Sequence, residues 1–362
     1  MTNSSRALLP LCACFRGVVP PRADWNALLE LANHTLTTPS LIEVVRSQRA
    51  SIPDEVAAYV EAIHQRNMMR NDRLIAQLEE AVLALNRAGI TPVLIKGAAM
   101  LATCPPSDRA LRLMSDLDLV VGPGEVSIAK QRLTAIGYSV DYESDRRHTK
   151  WYVDLSRPQD VGMIDLQEAF PAEAVLNQTE GALRFELRSI QLGAASALVP
   201  SPELQVLVLL VHDQFQDHDY WTGNIDLRHL LDLKNLFAVP GDIRWDVLMT
   251  IASSTLLRNA LEAQQLLLTR LLGVTWPAGR PRRVMSKLQV WRQLLQARHP
   301  GLRPLLLPMG LIHLRSHRER SNLEMSASDF GSAPQARKRW FPKLESLLFL
   351  LSLARRYRAG KL

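Results

Sequence analysis

The chain has 362 residues, with 43 Lys and Arg against 36 Asp and Glu, and a formal net charge of +7. This length predicts one large or two ordinary domains, and an apolar content of 47% excludes a largely disordered chain. Three cysteines exclude a disulfide framework, and we expect no transmembrane segment because no apolar run reaches ~18 residues. We therefore expect a cytoplasmic protein.

The first 200 residues show helical patterns followed by a series of strand patterns. Residues 1–60 and 71–87 are predicted to be helical, the second stretch with an apolar stripe along one face. Short apolar runs then predict strands at 92–95, 116–121, 138–142, 150–155, 162–166 and 183–192, with a helix at 126–136. This order predicts an α+β fold with a mixed sheet.

After residue 200 the pattern is helical and then strongly basic. Helices are predicted at 202–215, 225–237, 245–251, 256–272, 287–297 and 342–357. From residue 275 onward there are 18 Lys and Arg against four Asp and Glu, so this part carries +14 and the preceding residues carry −7. The asymmetry indicates an anionic partner for the basic C-terminus, either RNA or a membrane surface. The alternative is a solvated helical face, or packing on the acidic part of the chain.

Two aspartates, Asp116 and Asp118, interrupt the aliphatic run at 114–121. Side chains two positions apart on a strand project to the same face, so the two carboxylates should lie together. Paired carboxylates in a core repel each other and lose solvation, and a hard divalent cation is the simplest compensation. An edge strand with two solvated acids is the alternative interpretation.

Three neighbouring features favour a phosphate and metal site. Gly97 follows a predicted strand and opens a helical pattern, and glycine at such a turn lets the backbone approach a phosphate. Asp165 lies in a later strand and offers a third carboxylate. Arg112 precedes the paired acids, and its planar guanidinium matches phosphate oxygens.

A glycine turn, an Asp-x-Asp strand and a third aspartate resemble the DNA polymerase β-type nucleotidyltransferase superfamily. The sequence of residues 94–99 and 112–120 more closely resembles one branch of this superfamily, the uncharacterised nucleotidyltransferases. The resemblance covers roughly residues 60 to 275.

Three departures from the family pattern accompany this resemblance. Ala98 follows Gly97 where the superfamily usually has a second glycine or a serine, and the interval from Gly97 to Asp116 is longer than usual. Gln167 stands where relatives in this branch commonly have histidine. These changes leave a metal site in place and put efficient phosphate binding in question.

The resemblance implies transfer of a nucleoside monophosphate from an NTP to a hydroxyl-bearing acceptor, with Mg²⁺ or Mn²⁺ as cofactor. The implied catalytic and metal-binding residues are Asp116, Asp118 and Asp165, the last also as general base. The implied nucleotide-binding residues are Lys96, Gly97, Ala98, Arg112 and Ser115. The possible acceptor-site residues are His148, His212 and Arg228.

Three of these residues have a structural alternative. His148 could instead be an ordinary surface residue. His212 ends an apolar helical pattern and could be a core or capping histidine. Arg228 and Asp232 are four positions apart on a predicted helix, so they could instead form a salt bridge along one helix face.

The resemblance also implies a polymerase β-like core followed by an α-helical domain. The predicted division is an N-terminal helical segment at 1–60, a nucleotidyltransferase catalytic core at 61–200, a helical domain at 201–278 and a basic C-terminal helical extension at 279–362. The leading hypothesis is a Mg²⁺-dependent nucleotidyltransferase that releases pyrophosphate and modifies a small molecule, a peptide or protein, or a nucleic acid. The alternative is a non-catalytic nucleotide- or RNA-binding protein that keeps this fold.

Overall fold

Helices precede the first strand of the protein. A computed structural model describes residues 3–144, 151–168, 186–238, 243–275, 283–310 and 361–362. In this part the chain starts with α1 (Asn3–Cys14), α2 (Trp25–His34), α3 (Ile42–Ser47) and α4 (Asp54–Asn86), with 3₁₀ turns at Thr38–Leu41 and Arg49–Ser51. Asp24 caps α2 by accepting a hydrogen bond from the Ala27 amide.

Helix α4 is 33 residues long and joins two stretches that the sequence predicts as separately helical, 1–60 and 71–87. It starts at Asp54, after Pro53, with two acids in its first turn. Residues 61–70 were not predicted to be helical because their buried positions, His64 and Asn67, are polar. The helix runs through position 60, and the division of the chain into four segments stays a prediction.

The described strands form one mixed seven-stranded sheet in the order β3-β4-β5-β2-β1-β7-β6. The strands are β1 (Val93–Leu94), β2 (Asp116–Val120), β3 (Ser139–Glu143), β4 (Tyr152–Ser156), β5 (Met163–Gln167), β6 (Leu187–Leu192) and β7 (Ala195–Pro200). Strand β2 is antiparallel to β1 and parallel to β5, while β1 is parallel to β7. Helices α5 (Lys96–Thr103) and α6 (Val126–Ala135) lie between strands in the sequence, and a 3₁₀ turn spans Pro106–Leu111.

The two faces of the central strand β2 belong to different cores. Leu117 and Leu119 are fully buried in a core that also contains residues of α4 and α6. Val120 joins the second core, which contains the N-terminal helices and the helices after residue 200. Because side chains alternate along a strand, Asp116 and Asp118 share the face of Val120 and point toward this second, helical core.

Polar side chains of α4 hold the loops that lead into β2 and β5. Asn67 and Asn71 are buried, and each donates to the Arg112 carbonyl, at 3.0 and 2.9 Å. Arg70 donates to the Val161 carbonyl at 2.6 Å, and Gln77 donates to the Gly162 carbonyl at 2.8 Å. One helix thereby satisfies buried carbonyls in front of both acid-bearing strands and sets where each strand starts.

The second half of the described chain is helical, as predicted. Its helices are α7 (Pro202–Val211), α8 (Asp219–Thr222), α9 (Leu227–Leu236), α10 (Trp245–Ile251), α11 (Thr255–Leu267) and α12 (Val284–Arg298), with π-helical turns at His212–Gln216 and Leu268–Leu272 and a 3₁₀ turn at Pro300–Leu302. Residues 303–310 are again helical. Ser201, Asp226 and Ser254 cap α7, α9 and α11 through their side chains.

The predicted α+β class with a mixed sheet is confirmed. Strand β7 was not predicted, although Gly193, with φ of +55°, marks the turn that joins it to β6. The helix predicted at 342–357 and His148 lie outside the described residues. Among the residues that the structure describes, no helix is long and apolar enough to cross a membrane.

Candidate functional site

Asp118 and Asp165 lie side by side on neighbouring parallel strands. They are Cα partners in the register of β2 with β5, and Asp116 is paired with Met163 two positions earlier. Paired positions in parallel strands present their side chains to the same face, so all three acids line one side of the sheet. Asp118 is almost fully buried, at 2% exposure, whereas Asp116 and Asp165 are half-buried.

Lys96 supplies the positive charge nearest to these acids. Its Nζ lies 2.6 Å from Oδ1 of Asp118, and both side chains are buried. Burial alone would lower the pKa of Lys96, but the Asp118 carboxylate outweighs burial and the pKa is raised above the usual lysine value. Lys96 therefore stays protonated, and its ammonium group supplies in this structure the positive charge that balances the acids.

The backbone at Lys96 is in the left-handed region, with φ of +49°. A lysine in this region costs roughly 1–2 kcal/mol relative to a right-handed conformation. Such strain is concentrated at functional positions, where the surrounding structure maintains it. Here it directs the side chain from the turn between β1 and α5 to Asp118.

Gln167 connects the two central acids. Its Nε2 donates to Oδ1 of Asp118 at 3.0 Å and to Oδ2 of Asp165 at 2.7 Å, and the residue is fully buried. One amide thereby fixes the separation of two carboxylates that would otherwise repel each other. Sequence reasoning noted Gln167 as a departure from the family pattern and missed this role. The signal was available, because Gln167 is two positions after Asp165 on the same strand.

Arg112 reaches the site through a contact that the sequence did not predict. Its Nε donates to both carboxylate oxygens of Asp232 in α9, at 2.9 and 3.1 Å. Burial would lower the pKa of Arg112, but Asp232 outweighs it and the pKa is raised. The salt bridge between Arg228 and Asp232, considered from their spacing, is therefore wrong; Arg228 instead donates to the Leu113 carbonyl at 3.4 Å.

Gly97 is needed because the Arg112 side chain lies against it. A Cβ added at Gly97 would come within 2.5 Å of Nη1 of Arg112 and 2.9 Å of Cε of Met114. The close approach expected for a phosphate is thus made in this structure by a guanidinium. The amide of Ala98 donates to the Ile95 carbonyl, and Ser115 Oγ donates to Oδ1 of Asp116 at 3.3 Å.

His212 belongs to the helical side of the same site. The pKa of His212 is held well below its usual value, first by burial and then by the positive charges of Lys96 and His229. Its ring lies edge-on to that of His229, with centroids 5.8 Å apart. His212 is therefore a neutral, half-buried residue near Lys96, which is compatible with a packing role and with contact to an acceptor.

A second buried acid cluster lies behind His212. Oxygen atoms of Asp213 and Asp226 and a ring nitrogen of His229 lie within 4.8 Å of one another, which is close enough to share a metal ion. In this structure the positive charge comes from Lys361, whose Nζ is 2.8 Å from Asp217, 3.1 Å from Asp213 and also paired with Asp219. The sequence offered no signal for this cluster, because Lys361 is far from its partners in the chain.

The structure thus brings most of the predicted residues together. Lys96, Asp118 and Asp165 form one connected group, and Asp116 lies on the same face. Four more predicted residues lie around it through direct contacts or nearby charge, namely Gly97, Arg112, His212 and Arg228. Three carboxylates on one face are the hard oxygen donors that Mg²⁺ and Mn²⁺ prefer, and the Lys96 ammonium already marks the place of a cation.

The model of a family described as uncharacterised nucleotidyltransferase matches residues 21–273, more than half of the chain. A crystal structure of an antigenic nucleotidyltransferase-like protein from Paracoccidioides brasiliensis is similar at 18% identity, with a TM-score of 0.37, covering 56% of this chain and 94% of that chain. No curated protein matches the sequence.

Proposed function

This chain belongs to the uncharacterised nucleotidyltransferase family, and from this premise we propose that it transfers a nucleoside monophosphate from an NTP to a hydroxyl-bearing acceptor and releases pyrophosphate. The observation that supports the proposal is the pairing of Asp118 with Asp165 on adjacent parallel strands, with Asp116 on the same face and Lys96 balancing their charge. This arrangement concentrates metal-binding oxygens at one point of a largely buried surface.

Asp116, Asp118 and Asp165 would hold Mg²⁺ or Mn²⁺. A divalent ion bound there would neutralise the triphosphate and orient the reacting oxygens. Gln167 keeps the two central carboxylates at a set separation through its two hydrogen bonds. The three carboxylates, held in place by Gln167, would therefore present preformed oxygen ligands to the ion. This limits the reorganisation needed during the reaction.

The remaining residues of the site would bind the nucleotide and move the proton. Lys96, protonated at neutral pH, would donate to phosphate oxygens. Arg112 is fixed through Nε to Asp232, and its Nη1 lies against the Gly97 turn, where it would meet a phosphate in place of the helix amides. Asp165, half-buried, would accept the proton of the attacking hydroxyl at a carboxylate oxygen.

The acceptor side of the proposal rests on position alone. His212 lies near Lys96, and Arg228 contacts the segment that leads into β2. A small molecule, a peptide or protein, and a nucleic acid all remain candidate acceptors. We also propose that the protein acts in the cytoplasm and that its basic C-terminal region has an anionic partner, RNA or a membrane surface.

A second candidate function is nucleotide or RNA binding without catalysis. The observation that favours it is the Lys96–Asp118 ion pair together with the guanidinium packed on Gly97, since both fill space that an active site gives to metal and phosphate. In this case the lysine would be a permanent counter-ion for the acids.

Two measurements on the full chain separate the candidates. The first is the melting temperature with each of the four NTPs and Mg²⁺ or Mn²⁺, since a ligand at a hundredfold excess over Kd stabilises by about 2.7 kcal/mol. The second is pyrophosphate release from the stabilising NTP in the presence of a cell extract that supplies small-molecule, protein and RNA acceptors, with and without EDTA. Release that stops with EDTA supports the enzyme, and stabilisation without release supports the binding protein. If no NTP raises the melting temperature with either metal, the enzyme and the nucleotide-binding protein are both contradicted, and only RNA binding without catalysis is left to test.

A further inference from the structure

Helix α12 (Val284–Arg298) has its polar face inside the protein. Its buried residues include Ser286, Gln289, Arg292, Gln293 and Gln296. Arg292 is 2% exposed and donates to the carbonyls of Trp221 and Tyr220 at 2.8 and 2.6 Å, and Gln293 donates to the Asn224 carbonyl at 3.1 Å. The inner face of the helix is therefore held by hydrogen bonds to the backbone around α8 as well as by apolar contacts of Val290 and Ala297 with the core.

The outer face of α12 is apolar. Val284, Leu288 and Trp291 occupy positions i, i+4 and i+7 and are 80%, 41% and 50% exposed. These positions lie on one side of a helix. Further exposed apolar side chains occur nearby in the chain at Met285, Leu305 and Met309. Val284, Leu288 and Trp291 are called the outer patch below; a patch of this kind indicates an interaction site.

Basic side chains accompany the outer patch. Lys287 and Arg298 are exposed and lie on the same side of α12, given the rotation of about 100° per residue. Residues 283–310 contain five Lys and Arg and no Asp or Glu. A partner for this face should therefore combine an apolar interior with negative charge around it.

We propose that the outer patch docks on the surface of an anionic lipid bilayer. Leu288, Trp291 and Val284 would enter the boundary between headgroups and acyl chains, and Lys287 and Arg298 would meet the phosphates of the headgroups. RNA fits less well, because the patch has one aromatic ring, and valine and leucine neither stack on bases nor bond to them. A second copy of the chain would place the same positive charges opposite each other.

The test is flotation of the full-length protein with vesicles of phosphatidylcholine, with or without phosphatidylserine. Wild-type protein should float with the phosphatidylserine vesicles and sink with the neutral ones. The double variant Leu288→Gln/Trp291→Gln should bind at least tenfold more weakly, since two large apolar side chains are lost from the contact. Lys287→Gln and Arg298→Gln should each weaken binding about fivefold, and added salt should do the same.

Met69→Gln is the matched control, because Met69 is an apolar side chain of α4 with 64% exposure and lies outside the outer patch. It should bind vesicles as the wild type does. All the substituted side chains are exposed, so melting temperatures should stay within the wild-type range and show that the variants are folded.

Three results would overturn the proposal. The first is wild-type protein that binds neither vesicle, and the second is a Leu288→Gln/Trp291→Gln variant that still binds like the wild type. The third is a wild-type protein that does not bind vesicles but forms a dimer or binds an RNA oligonucleotide, when the Leu288→Gln/Trp291→Gln variant has lost that property. Loss of the dimer would assign the patch to a second copy, and loss of RNA binding would assign it to RNA. NTP binding is measured separately and should be equal in all variants.

Discussion

Two buried lysines neutralise two groups of acids in this protein, and they do so differently. Lys96 contacts one carboxylate, Asp118, while Asp116 and Asp165 beside it are half-buried and within reach of solvent. The side chain of Lys361 is as buried as that of Lys96, but it lies among four carboxylates, of which Asp213, Asp219 and Asp226 are buried. Lys96 has one carboxylate partner next to two half-buried acids, so another cation could replace it there. Lys361 is surrounded by four acids and is a fixed part of the folded structure. If the proposed function is right, the same pair of residue types serves chemistry in one place and folding in the other.

The largest effect should come from removing an acid beside Lys96. Asp116→Asn and Asp165→Asn should each lower NTP turnover by about 10³-fold, which corresponds to about 4 kcal/mol in the barrier. The fold should be retained, because neither carboxylate is the direct partner of Lys96 and the loss of one repelling charge relieves the others. The measurement is pyrophosphate release together with urea unfolding.

Glu168→Gln is the control for Asp165, one residue beyond the end of β5. Its side chain is an odd number of positions from Asp165 and so does not belong to the same strand face. Full activity in Asp165→Asn, or inactivity in Glu168→Gln, would mean that the third acid has been misplaced.

The second effect should be on stability and should come from Lys361→Met. Removing the ammonium leaves Asp213, Asp219 and their neighbours buried without their counter-ion, which should cost about 3–5 kcal/mol of unfolding free energy. Urea unfolding at neutral pH measures this loss. If Lys361→Met is as stable as the wild type, the acid cluster finds its charge elsewhere, and the contrast between the two lysines disappears.

A smaller effect should follow when Arg112 loses its partner in α9. Asp232→Asn leaves the guanidinium without a carboxylate and should cost about 1–3 kcal/mol of stability. Because Arg112 is then less well held against Gly97, the Kd for the stabilising NTP should also rise. Asp246→Asn, at an exposed acid of α10, is the control and should change neither quantity. Unchanged NTP affinity in Asp232→Asn would remove Arg112 from the nucleotide site.

The smallest effect should appear in the dependence of stability on pH. The pKa of His229 is raised, since Asp226 and Asp213 outweigh burial, so the folded protein holds a proton that the unfolded chain loses above about 6.5. Stability from this residue should therefore fall as pH rises from 6.5 through the folded pKa. The pKa of His212 is lowered, mainly by burial, so the unfolded chain binds the extra proton and stability should fall as pH drops below 6.5.

Unfolding free energies across this pH range, measured for wild type, His229→Gln and His212→Gln, test both signs. His229→Gln should flatten the alkaline side of the profile, and His212→Gln should flatten the acidic side. An exchange of these two results would show that the charges around the histidines have been assigned the wrong way round.

The parts of the site that the sequence predicts are those encoded by local periodicity. The spacing of Asp116 and Asp118 places them on one strand face, and the apolar run around Asp165 places it in another strand. The resemblance to a family then predicts that the acids of these two strands form one site. The α+β class with a mixed sheet was also predicted. Gln167 could have been found by the same spacing rule.

The parts that the sequence does not predict depend on contacts between distant residues. Arg112 and Asp232 are 120 positions apart, and Lys361 is 148 positions from Asp213. No periodicity links such pairs, because their meeting depends on how the helices pack against the sheet. Helix α12, whose polar face lies inside the protein, is a related case. Its Arg292 is buried because the backbone around α8 offers carbonyl groups to it.

The hydrogen bonds from α4 to the loops before β2 and β5 affect the order in which parts of the protein unfold. Asn67, Asn71, Arg70 and Gln77 attach the start of β2 and the start of β5 to a single helix, so neither loop can detach without breaking hydrogen bonds to buried side chains. We expect α4, β2 and β5 to exchange their amide hydrogens as one cooperative unit, and to be among the last elements to unfold. The acids of the candidate site would then stay assembled through fluctuations that open other parts of the molecule.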